Sequence, residues 1–215
     1  MKRNLLQICL TIFASMLWAP ASAQEETFTE PLSQISFPKK ITFQYQDSTR
    51  TLTATGAAER KHAKRGKKKG EQEFRSVCTV AHYMEHPPNG DAQKIYGLIL
   101  ESKNLKVFVM NFNTRIPAGK IKEWFLGQTE RKDPAAKKKI LKSLNEFADL
   151  FAGEFMQNER CEIRWLPDGG TMVLLPGAPE KIIADPAFAP FWWKLWLGEG
   201  SSFERSDLVN RIVSL

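Results

Sequence analysis

Apolar and polar residues alternate with a period of two through much of the first half of the chain, which is the pattern of half-buried β-strands. The segments that follow this pattern or are bounded by turn residues are 41–45, 51–55, 74–84, 95–100 and 105–112. Asp47-Ser48 separates the first two and Ser102-Lys103-Asn104 separates the last two. Each of these pairs therefore predicts an antiparallel hairpin.

The period changes to 3.6 residues in the second half, which predicts helices. A short helix that carries Ile121, Trp124 and Phe125 is predicted over 117–128, and a longer one begins at Asp133-Pro134. The broad apolar stripe of the longer helix consists of Ile140, Leu141, Leu144, Phe147, Ala148, Phe151 and Phe155. Strands return at 162–166, 171–175 and 182–183. Hairpins followed by grouped helices predict an α+β fold, in which a large antiparallel sheet has helices packed on one face.

The stretch from Asp185 to Gly198 is the most aromatic part of the chain. Asp185 is a favourable N-cap, Pro186 suits the first helical position, and Gly198 can end a helix in the left-handed conformation. The apolar residues of the predicted helix are Phe188, Phe191, Trp192, Trp193, Leu195, Trp196 and Leu197. A helix that is apolar on nearly every side is either buried in the core or lines a hydrophobic cleft.

A second helix is predicted directly after the aromatic one. Ser201 and Glu204 have the Ser-x-x-Glu spacing of a capping box. Leu208 and Ile212 supply one apolar side of this last helix.

The beginning of the chain has the organisation of a secretory signal peptide. Met1-Lys2-Arg3 is followed by an apolar run from Leu5 to Trp18 and by Ala21-Ser22-Ala23, an A-x-A cleavage site. The apolar run is shorter than the roughly 20 residues that span a bilayer. We therefore expect cleavage after Ala23 and a single exported, periplasmic domain over residues 24–215.

The charge balance is basic. The formal net charge is +7 and the pI is near 9.3; Lys2 and Arg3 account for two of these charges, so +5 remains after cleavage. Much of the excess lies in the run from Arg60 to Lys69. Such a run either contacts an anionic surface, such as lipid headgroups, or forms a solvated loop. Nucleic acid is not an expected partner, because the run contains no aromatic residue.

Sequence motifs for nucleotide binding or covalent catalysis are missing: neither a G-x-x-x-x-G-K-[ST] loop nor G-x-G-x-x-G or G-x-S-x-G occurs. His82 and His86 are four residues apart, but they lie in a predicted strand that runs into Pro87-Pro88, and no third ligand is near. Neither a metal nor a cofactor is expected.

Two cysteines, Cys78 and Cys161, remain after loss of the one in the signal peptide. In an oxidising compartment they could form a disulfide, and two separate buried thiols are the alternative.

Arg60 follows Gly56-Ala-Ala and Glu59 at the end of a predicted strand. The guanidinium group of an arginine that faces a cleft can hold a carboxylate or a phenolate through charge-assisted hydrogen bonds. A solvent-facing arginine is the alternative.

Several short motifs follow one another in order along the chain. They are Phe37-Pro38, Gly56-x-x-x-Arg60, a strand ending in His82-Tyr83-Met84, Asn111-Phe-Asn-Thr-Arg115 before a helix at Lys120, and Phe191-x5-Leu197-Gly198-x-x-x-Ser202. In order and spacing they resemble the chalcone isomerase-like family in its bacterial exported branch. The resemblance covers the mature chain and implies an open-faced β-sandwich with a hydrophobic ligand cleft between the sheet and its helices.

The family contains isomerases that close a chalcone into a flavanone and non-catalytic members that bind fatty acids. The resemblance places the cleft arginine of both on Arg60, with Arg65 as the alternative because the lysine-rich segment is inserted there. It places the isomerases' threonine near Cys78, their tyrosine near Gly119 or Lys120, and their late hydroxyl residue near Ala189. None of these positions keeps the hydroxyl group.

The leading hypothesis is therefore an exported, non-catalytic protein that binds a small hydrophobic carboxylate such as a fatty acid. The predicted ligand-binding residues are Arg60, Cys78, Ala189, Trp192, Trp193 and Trp196. One alternative is an isomerase of chalcone-like enones, against which the missing hydrogen-bond donors count because they would stabilise the developing charge. The other is a periplasmic interaction protein that uses its basic loop on anionic lipid or a partner.

Overall fold

The computed structural model describes residues 25–65, 72–130 and 134–213, and a large antiparallel sheet dominates it. Two short strands, Thr27–Thr29 (β1) and Ser36–Pro38 (β2), pair with each other. The main sheet has seven strands, each paired with the next one along the chain. They are Lys40–Tyr45 (β3), Ser48–Arg65 (β4), Gln72–Met84 (β5), Lys106–Phe112 (β6), Arg160–Trp165 (β7), Thr171–Leu174 (β8) and Lys181–Ile183 (β9).

Helices cover one face of this sheet. They are Ala92–Glu101 (α1), Lys120–Glu130 (α2), Pro134–Lys139 (α3), Leu141–Leu150 (α4) and Phe188–Leu197 (α5), followed by a 3-10 turn at Asp207–Val209. Phe108, Met110 and Phe112 of β6 point toward the helices and belong to the main core. The predicted α+β fold, an antiparallel sheet with helices packed on one face, is confirmed.

A smaller apolar cluster lies on the opposite face of the sheet. Because successive side chains of a strand point to opposite faces, Val107 and Val109 of β6 join this second cluster together with Tyr83 and Phe37. The Tyr83 hydroxyl donates a hydrogen bond to the Pro38 carbonyl oxygen over 2.9 Å, which ties β5 to the β1–β2 ribbon. Burial on both faces explains why every residue of β6 is buried.

The prediction of a strand over 95–100 is wrong, since these residues belong to α1. Ile95 and Ile99 are fully buried, whereas Leu98 is 49% exposed. Burial four residues apart is the helical pattern, and the window of six residues was too short to distinguish it from alternation. The predicted hairpin is therefore absent, and β6 pairs with β5 and β7 instead.

The single long helix predicted from Asp133-Pro134 consists of two helices, α3 and α4, separated at Ile140. Asp133 itself lies outside the described residues. Phe155, which was predicted to continue the apolar stripe, lies beyond α4 in an antiparallel bridge with Ile116. Both Ile140 and Phe155 remain buried in the main core, so the stripe is confirmed as core although its continuous helix is not.

The helix predicted from a capping box at Ser201 does not form. The Ser201 hydroxyl donates to the Trp196 carbonyl oxygen over 2.6 Å and accepts from the Phe203 amide over 3.0 Å, so it closes the end of α5. Only the 3-10 turn follows, and it buries Leu208. A local side-chain to backbone hydrogen bond has therefore replaced the predicted N-cap.

The ends of α5 follow the prediction in part. Asp185 Oδ1 accepts a hydrogen bond from the Ala187 amide over 2.9 Å, and the helix begins at Phe188. Gly198 has φ −79° and ψ 176°, so the predicted left-handed conformation is wrong there and occurs at Gly200, with φ +67°. Gly198 is instead required for space, because a Cβ atom would lie 2.3 Å from the Lys194 carbonyl oxygen.

The cysteines are two separate buried thiols. Cys78 lies in β5 and Cys161 in β7, with β6 between them, and both are free. The signal-peptide prediction concerns residues 1–23, which lie outside the described part of the chain. Among the residues that the structure describes, no helix has the length and apolar character needed to cross a membrane.

Candidate functional site

A cleft of about 520 Å³ lies at the end of the sheet where β4 and β5 extend beyond β6, next to α2. It is lined by Arg60, Arg75, Val77, Thr114, Arg115, Ile116, Pro117, Lys120, Ile121, Glu123 and Trp124. We call this space the Arg60 cleft. Its walls combine apolar side chains with four cationic ones, which suits an amphiphilic anion.

A β-bulge in β5 shapes the cleft. Arg60 of β4 pairs with Cys78 and the next residue, Lys61, pairs with Ser76, so Val77 is an extra residue. An extra residue reverses the alternation of side chains beyond it. Val77 and Arg75 therefore line the same cleft as Arg60.

Arg60 is a partly buried cation of the cleft that is stacked on an aromatic ring. Its guanidinium carbon lies 3.7 Å from the centroid of the Trp124 ring, in a cation–π contact. Burial lowers the pKa of Arg60 to about 10, which leaves the side chain charged at neutral pH. Among the side chains that the structure describes, which exclude those of residues 62–74 and 130–134, no carboxylate forms an ion pair with it. The adjacent Glu59 is paired with Lys61 instead, at 3.3 Å.

One neutral group contacts the Arg60 guanidinium. With its amide oriented to satisfy the surrounding donors, the Gln128 oxygen accepts hydrogen bonds from Arg60 Nη1 over 3.0 Å and from Trp124 Nε1. The same side chain lies 3.0 Å from the Ser202 hydroxyl. Gln128 thus fixes the positions of Arg60 and Trp124 without neutralising the positive charge.

Three further cations stand around the opening. Arg75 Nη2 donates to the Thr114 hydroxyl, and it forms no ion pair with a carboxylate whose side chain is described. Arg115 pairs with Glu154, which lies outside the lining, and Lys120 pairs with Glu123 at 2.6 Å. Glu123 is the one carboxylate among the lining residues.

The apolar part of the cleft is formed by Val77, Ile116, Pro117, Ile121 and Trp124. The segment that carries Ile116 is held by two backbone hydrogen bonds with Phe155, of 2.8 and 3.0 Å. These bonds link the entry to α2 with the residues after α4. The backbone of Ile116, and with it this part of the apolar wall, is thus fixed by the bridge to Phe155.

The structure places only one of the predicted ligand-binding residues, Arg60, on the wall of this cleft. The others, Cys78, Ala189, Trp192, Trp193 and Trp196, have no exposed surface and belong to the closed core. Burial raises the pKa of the Cys78 thiol to about 12, so it is neutral. Lys120, one of the two residues that the resemblance places near the isomerases' tyrosine, does line the cleft. Arg65 ends β4, and its side chain lies outside the described part.

Among the lining residues that were not predicted as ligand-binding, Trp124 and Arg75 are the most important for the charge of the cleft. Trp124 was assigned to the apolar side of its helix together with Ile121 and Phe125, and its sequence position gave no signal of a contact with Arg60. Arg75 gave no signal either, because strict alternation from Cys78 would have turned it to the other face of the sheet.

His82 has a structural environment. Its Nε2 accepts a hydrogen bond from Trp193 Nε1 over 3.2 Å, and its Nδ1 lies 2.7 Å from the Thr55 hydroxyl. Burial lowers the pKa of His82 to about 3, so the ring is neutral. Within residues 25–65, 72–130 and 134–213, no group of three or more His, Cys, Asp or Glu side chains could hold a metal ion.

Comparison with known proteins identifies a family and solved structures of similar fold. A sequence model of a family described as chalcone isomerase-like matches residues 32–204. The fold is similar to that of a fatty-acid binding protein from Arabidopsis thaliana, with a TM-score of 0.65 and 17% identity over 87% of this chain and 97% of that chain. At this identity the likeness shows the fold alone. No curated protein matches the sequence.

Proposed function

The chain belongs to the chalcone isomerase-like family, and we propose that it is a non-catalytic member that binds a small hydrophobic carboxylate, such as a fatty acid, in the Arg60 cleft. The observation that carries this proposal is the state of Arg60. It is charged, partly buried and stacked on Trp124, and no carboxylate with a described side chain pairs with it. A desolvated cation without a counter-ion favours binding of an anion.

The surroundings of Arg60 support an amphiphilic rather than a fully polar ligand. Val77, Ile116 and Ile121 offer an apolar wall directly beside the guanidinium group. A carboxylate bound to Arg60 would leave its hydrocarbon part against this wall, where burial of each CH₂ group contributes about 0.8 kcal/mol. The structural neighbour from Arabidopsis thaliana is described as a fatty-acid binding protein, in agreement with this ligand class.

The non-catalytic part of the proposal is supported by the residues at the isomerases' polar positions. Cys78 has a buried, neutral thiol, which is a weak hydrogen-bond donor, and Ala189 has no polar side-chain atom. Without the hydroxyl donors of the isomerases at these positions, cyclisation of a chalcone would lose part of the electrostatic stabilisation of its developing oxyanion. Incubation of the purified protein with a chalcone should give no flavanone above the uncatalysed rate, and turnover above it would favour the isomerase alternative.

Binding is tested by titrating the purified protein with dodecanoate and following tryptophan fluorescence, since Trp124 lies in the cleft. Saturable binding is expected, and Arg60→Gln should weaken it about tenfold or more because a charge-assisted hydrogen-bond pair is lost. Arg211→Gln is the matched control: this guanidinium also stacks on an aromatic ring, that of Phe28 at 4.5 Å, but does not line the cleft. Equal loss in both variants, or none in either, would reject the site.

We also propose that residues 1–23 direct export and that the mature protein begins at Gln24 in the periplasm. The charged start, the short apolar run and the A-x-A site support this proposal. N-terminal sequencing of the protein from a periplasmic fraction should begin at Gln24. An intact amino terminus in the cytoplasmic fraction would contradict it.

A membrane-contacting role is a second candidate, favoured by the extension of β4 and β5. The two strands pair from Lys61–Ser76 to Arg65–Gln72, whereas β6 pairs with β5 only as far as Cys78. A two-stranded basic arm therefore extends past the main sheet, beside the Arg60 cleft, and polybasic segments are attracted to anionic lipid. Replacing Lys67, Lys68 and Lys69 by glutamine should reduce cosedimentation with phosphatidylglycerol vesicles. Unchanged cosedimentation would reject this role.

A further inference from the structure

We propose that the Arg60 cleft prefers a doubly charged head group, that of an alkyl or acyl phosphate monoester, over a carboxylate of the same chain length. The proposal rests on the proposed function, in that it takes the cleft to bind an amphiphilic anion. It goes further by assigning a second anion-binding position to Arg75. Arg60 would hold one side of the head group and Arg75 the other.

The lining of the cleft carries an excess of positive charge. Arg60, Arg75, Arg115 and Lys120 supply four positive charges, and Glu123 of the lining and Glu154, the partner of Arg115, supply two negative ones. One carboxylate would leave half of this excess uncompensated. A phosphate monoester carries about −1.5 to −2 charges at neutral pH and therefore matches the lining more closely.

Two of these cations are oriented by neutral groups. Arg60 is held by Gln128 and Trp124, and Arg75 is held by the Thr114 hydroxyl. Neither forms an ion pair with a carboxylate whose side chain the structure describes. Two guanidinium groups oriented in this way beside one cavity form a recognition site for an anion with several oxygen atoms.

The bulge at Val77 brings Arg75 to the same cleft as Arg60. The register shift between Arg60 and Lys61 turns Arg75 into the cleft, on the strand next to that of Arg60. Without the bulge, the side chain of Arg75 would point to the opposite face of the sheet. A bulge that re-aims a charged side chain into a cleft is a typical device near binding sites.

The remaining two cations can adapt to a larger head group. The Arg115–Glu154 and Lys120–Glu123 pairs are solvent-exposed, with 67% and 60% exposure of the cationic side chains. Exposed pairs of this kind contribute about 0–1 kcal/mol, so either cation can exchange its partner for a ligand oxygen at little cost. A phosphate offers three terminal oxygens for such contacts, whereas a carboxylate offers two.

Calorimetric titration with dodecyl phosphate and dodecanoate, both below their micelle-forming concentrations, tests the preference. Dodecyl phosphate should bind about tenfold or more tightly, since charge-assisted hydrogen bonds to Arg75 are added. Arg75→Gln should reduce this ratio to about threefold or less, Arg60→Gln should weaken both ligands, and Arg211→Gln should leave the ratio unchanged. Circular dichroism of each variant verifies folding.

The outcomes separate this inference from the proposed function. Equal affinities for the two ligands, or a phosphate preference that Arg75→Gln does not reduce, would overturn the inference while fatty-acid binding stands. Binding of neither ligand would overturn both. Inorganic phosphate is the third probe. If it bound as tightly as dodecyl phosphate, a free phosphate rather than an amphiphile would be recognised, and the inferred ligand class would be wrong.

Discussion

The guanidinium carbon of Arg60 lies 3.7 Å from the centroid of the Trp124 ring, so a charged group from β4 is stacked on an indole from α2. The contact crosses from the sheet to the helical layer at the mouth of the cleft. It covers one face of the guanidinium group and leaves its edge for hydrogen bonds. This relationship between two elements distant in sequence creates the anion site.

Replacing Trp124 should test the value of that stacking. Trp124→Leu should lower dodecanoate affinity about two- to thirtyfold, because a cation–π contact of about 0.5–2 kcal/mol no longer positions Arg60. Trp124→Phe keeps an aromatic face and should retain most of the affinity. Titration calorimetry measures both, and wild-type affinity in the leucine variant would show that Arg60 needs no aromatic support.

The hydrogen-bond chain through His82 should be important for stability. Trp193 donates to His82 Nε2, so the neutral ring donates from Nδ1 to the Thr55 hydroxyl, which in turn donates to the Leu208 carbonyl oxygen over 2.7 Å. Thr55→Val should lower the free energy of unfolding by about 1–3 kcal/mol, because buried polar groups lose their partner. Urea unfolding measures the change, and the exposed Thr51→Val is the control. Equal effects of the two substitutions would contradict the chain.

Gly56 should tolerate no side chain. A Cβ atom there would lie 2.1 Å from the Asp207 carbonyl oxygen, so the C-terminal segment would have to move off the sheet. Gly56→Ala should destabilise the protein by about 1–3 kcal/mol or more through overpacking. Gly97→Ala, in the middle of α1 with open space around its Cβ position, should instead stabilise by about 0.5–1 kcal/mol. Thermal unfolding of both variants distinguishes these expectations.

Because of Lys106, the free energy of unfolding should depend on pH between about pH 7 and 10. It has no exposed surface, its Nζ lies 3.5 Å from the Trp165 ring centroid, and burial lowers its pKa from 10.5 to about 7. Between these values the unfolded chain binds a proton that the folded one does not. The contribution of Lys106 to the free energy of unfolding should therefore fall as the pH decreases from about 10 to 7, with no further change below 7.

Lys106→Met removes the titrating group while keeping an unbranched side chain in the same space. Urea unfolding at several pH values should then show a smaller slope above pH 7 than in the wild-type protein. The contribution of His82 does not interfere, since its pKa is lowered from 6.5 to about 3 and its effect appears only below pH 6.5. An identical slope in both proteins would mean that Lys106 is protonated in the folded state.

Periodicity predicted most of this fold because burial on one or two faces controls the pattern of each element. β3, β5, β6 and the aromatic α5 all follow from it. Residues 95–100 were misassigned because six residues cover less than two helical turns. That window is too short to distinguish a period of 3.6 residues from a period of two. Ser201 was misassigned because its hydroxyl serves the preceding helix, and sequence spacing alone does not reveal which helix end a hydroxyl contacts.

Of the predicted ligand-binding residues, only Arg60 lies on the cleft wall. Its predicted place at the end of a strand is wrong, because β4 continues past it to Arg65 and the start of the predicted basic loop is part of that strand. Arg75 depends on a bulge, which leaves no signature in composition or period. Trp192, Trp193 and Trp196 were predicted as cleft residues, yet they pack against Phe108 and Phe125 in the core, because the cleft opens at the end of the sheet rather than over its centre.

The central claim is that Arg60 holds the acid group of a hydrophobic ligand. Native mass spectrometry of the wild-type protein purified from cells, compared with Arg60→Gln and with the control Arg211→Gln, tests it most directly. We expect a co-purified amphiphilic acid on the wild type and on the control, and its loss from Arg60→Gln. Ligand-free wild-type protein that also fails to take up added dodecanoate, or equal occupancy of all three proteins, would contradict the claim.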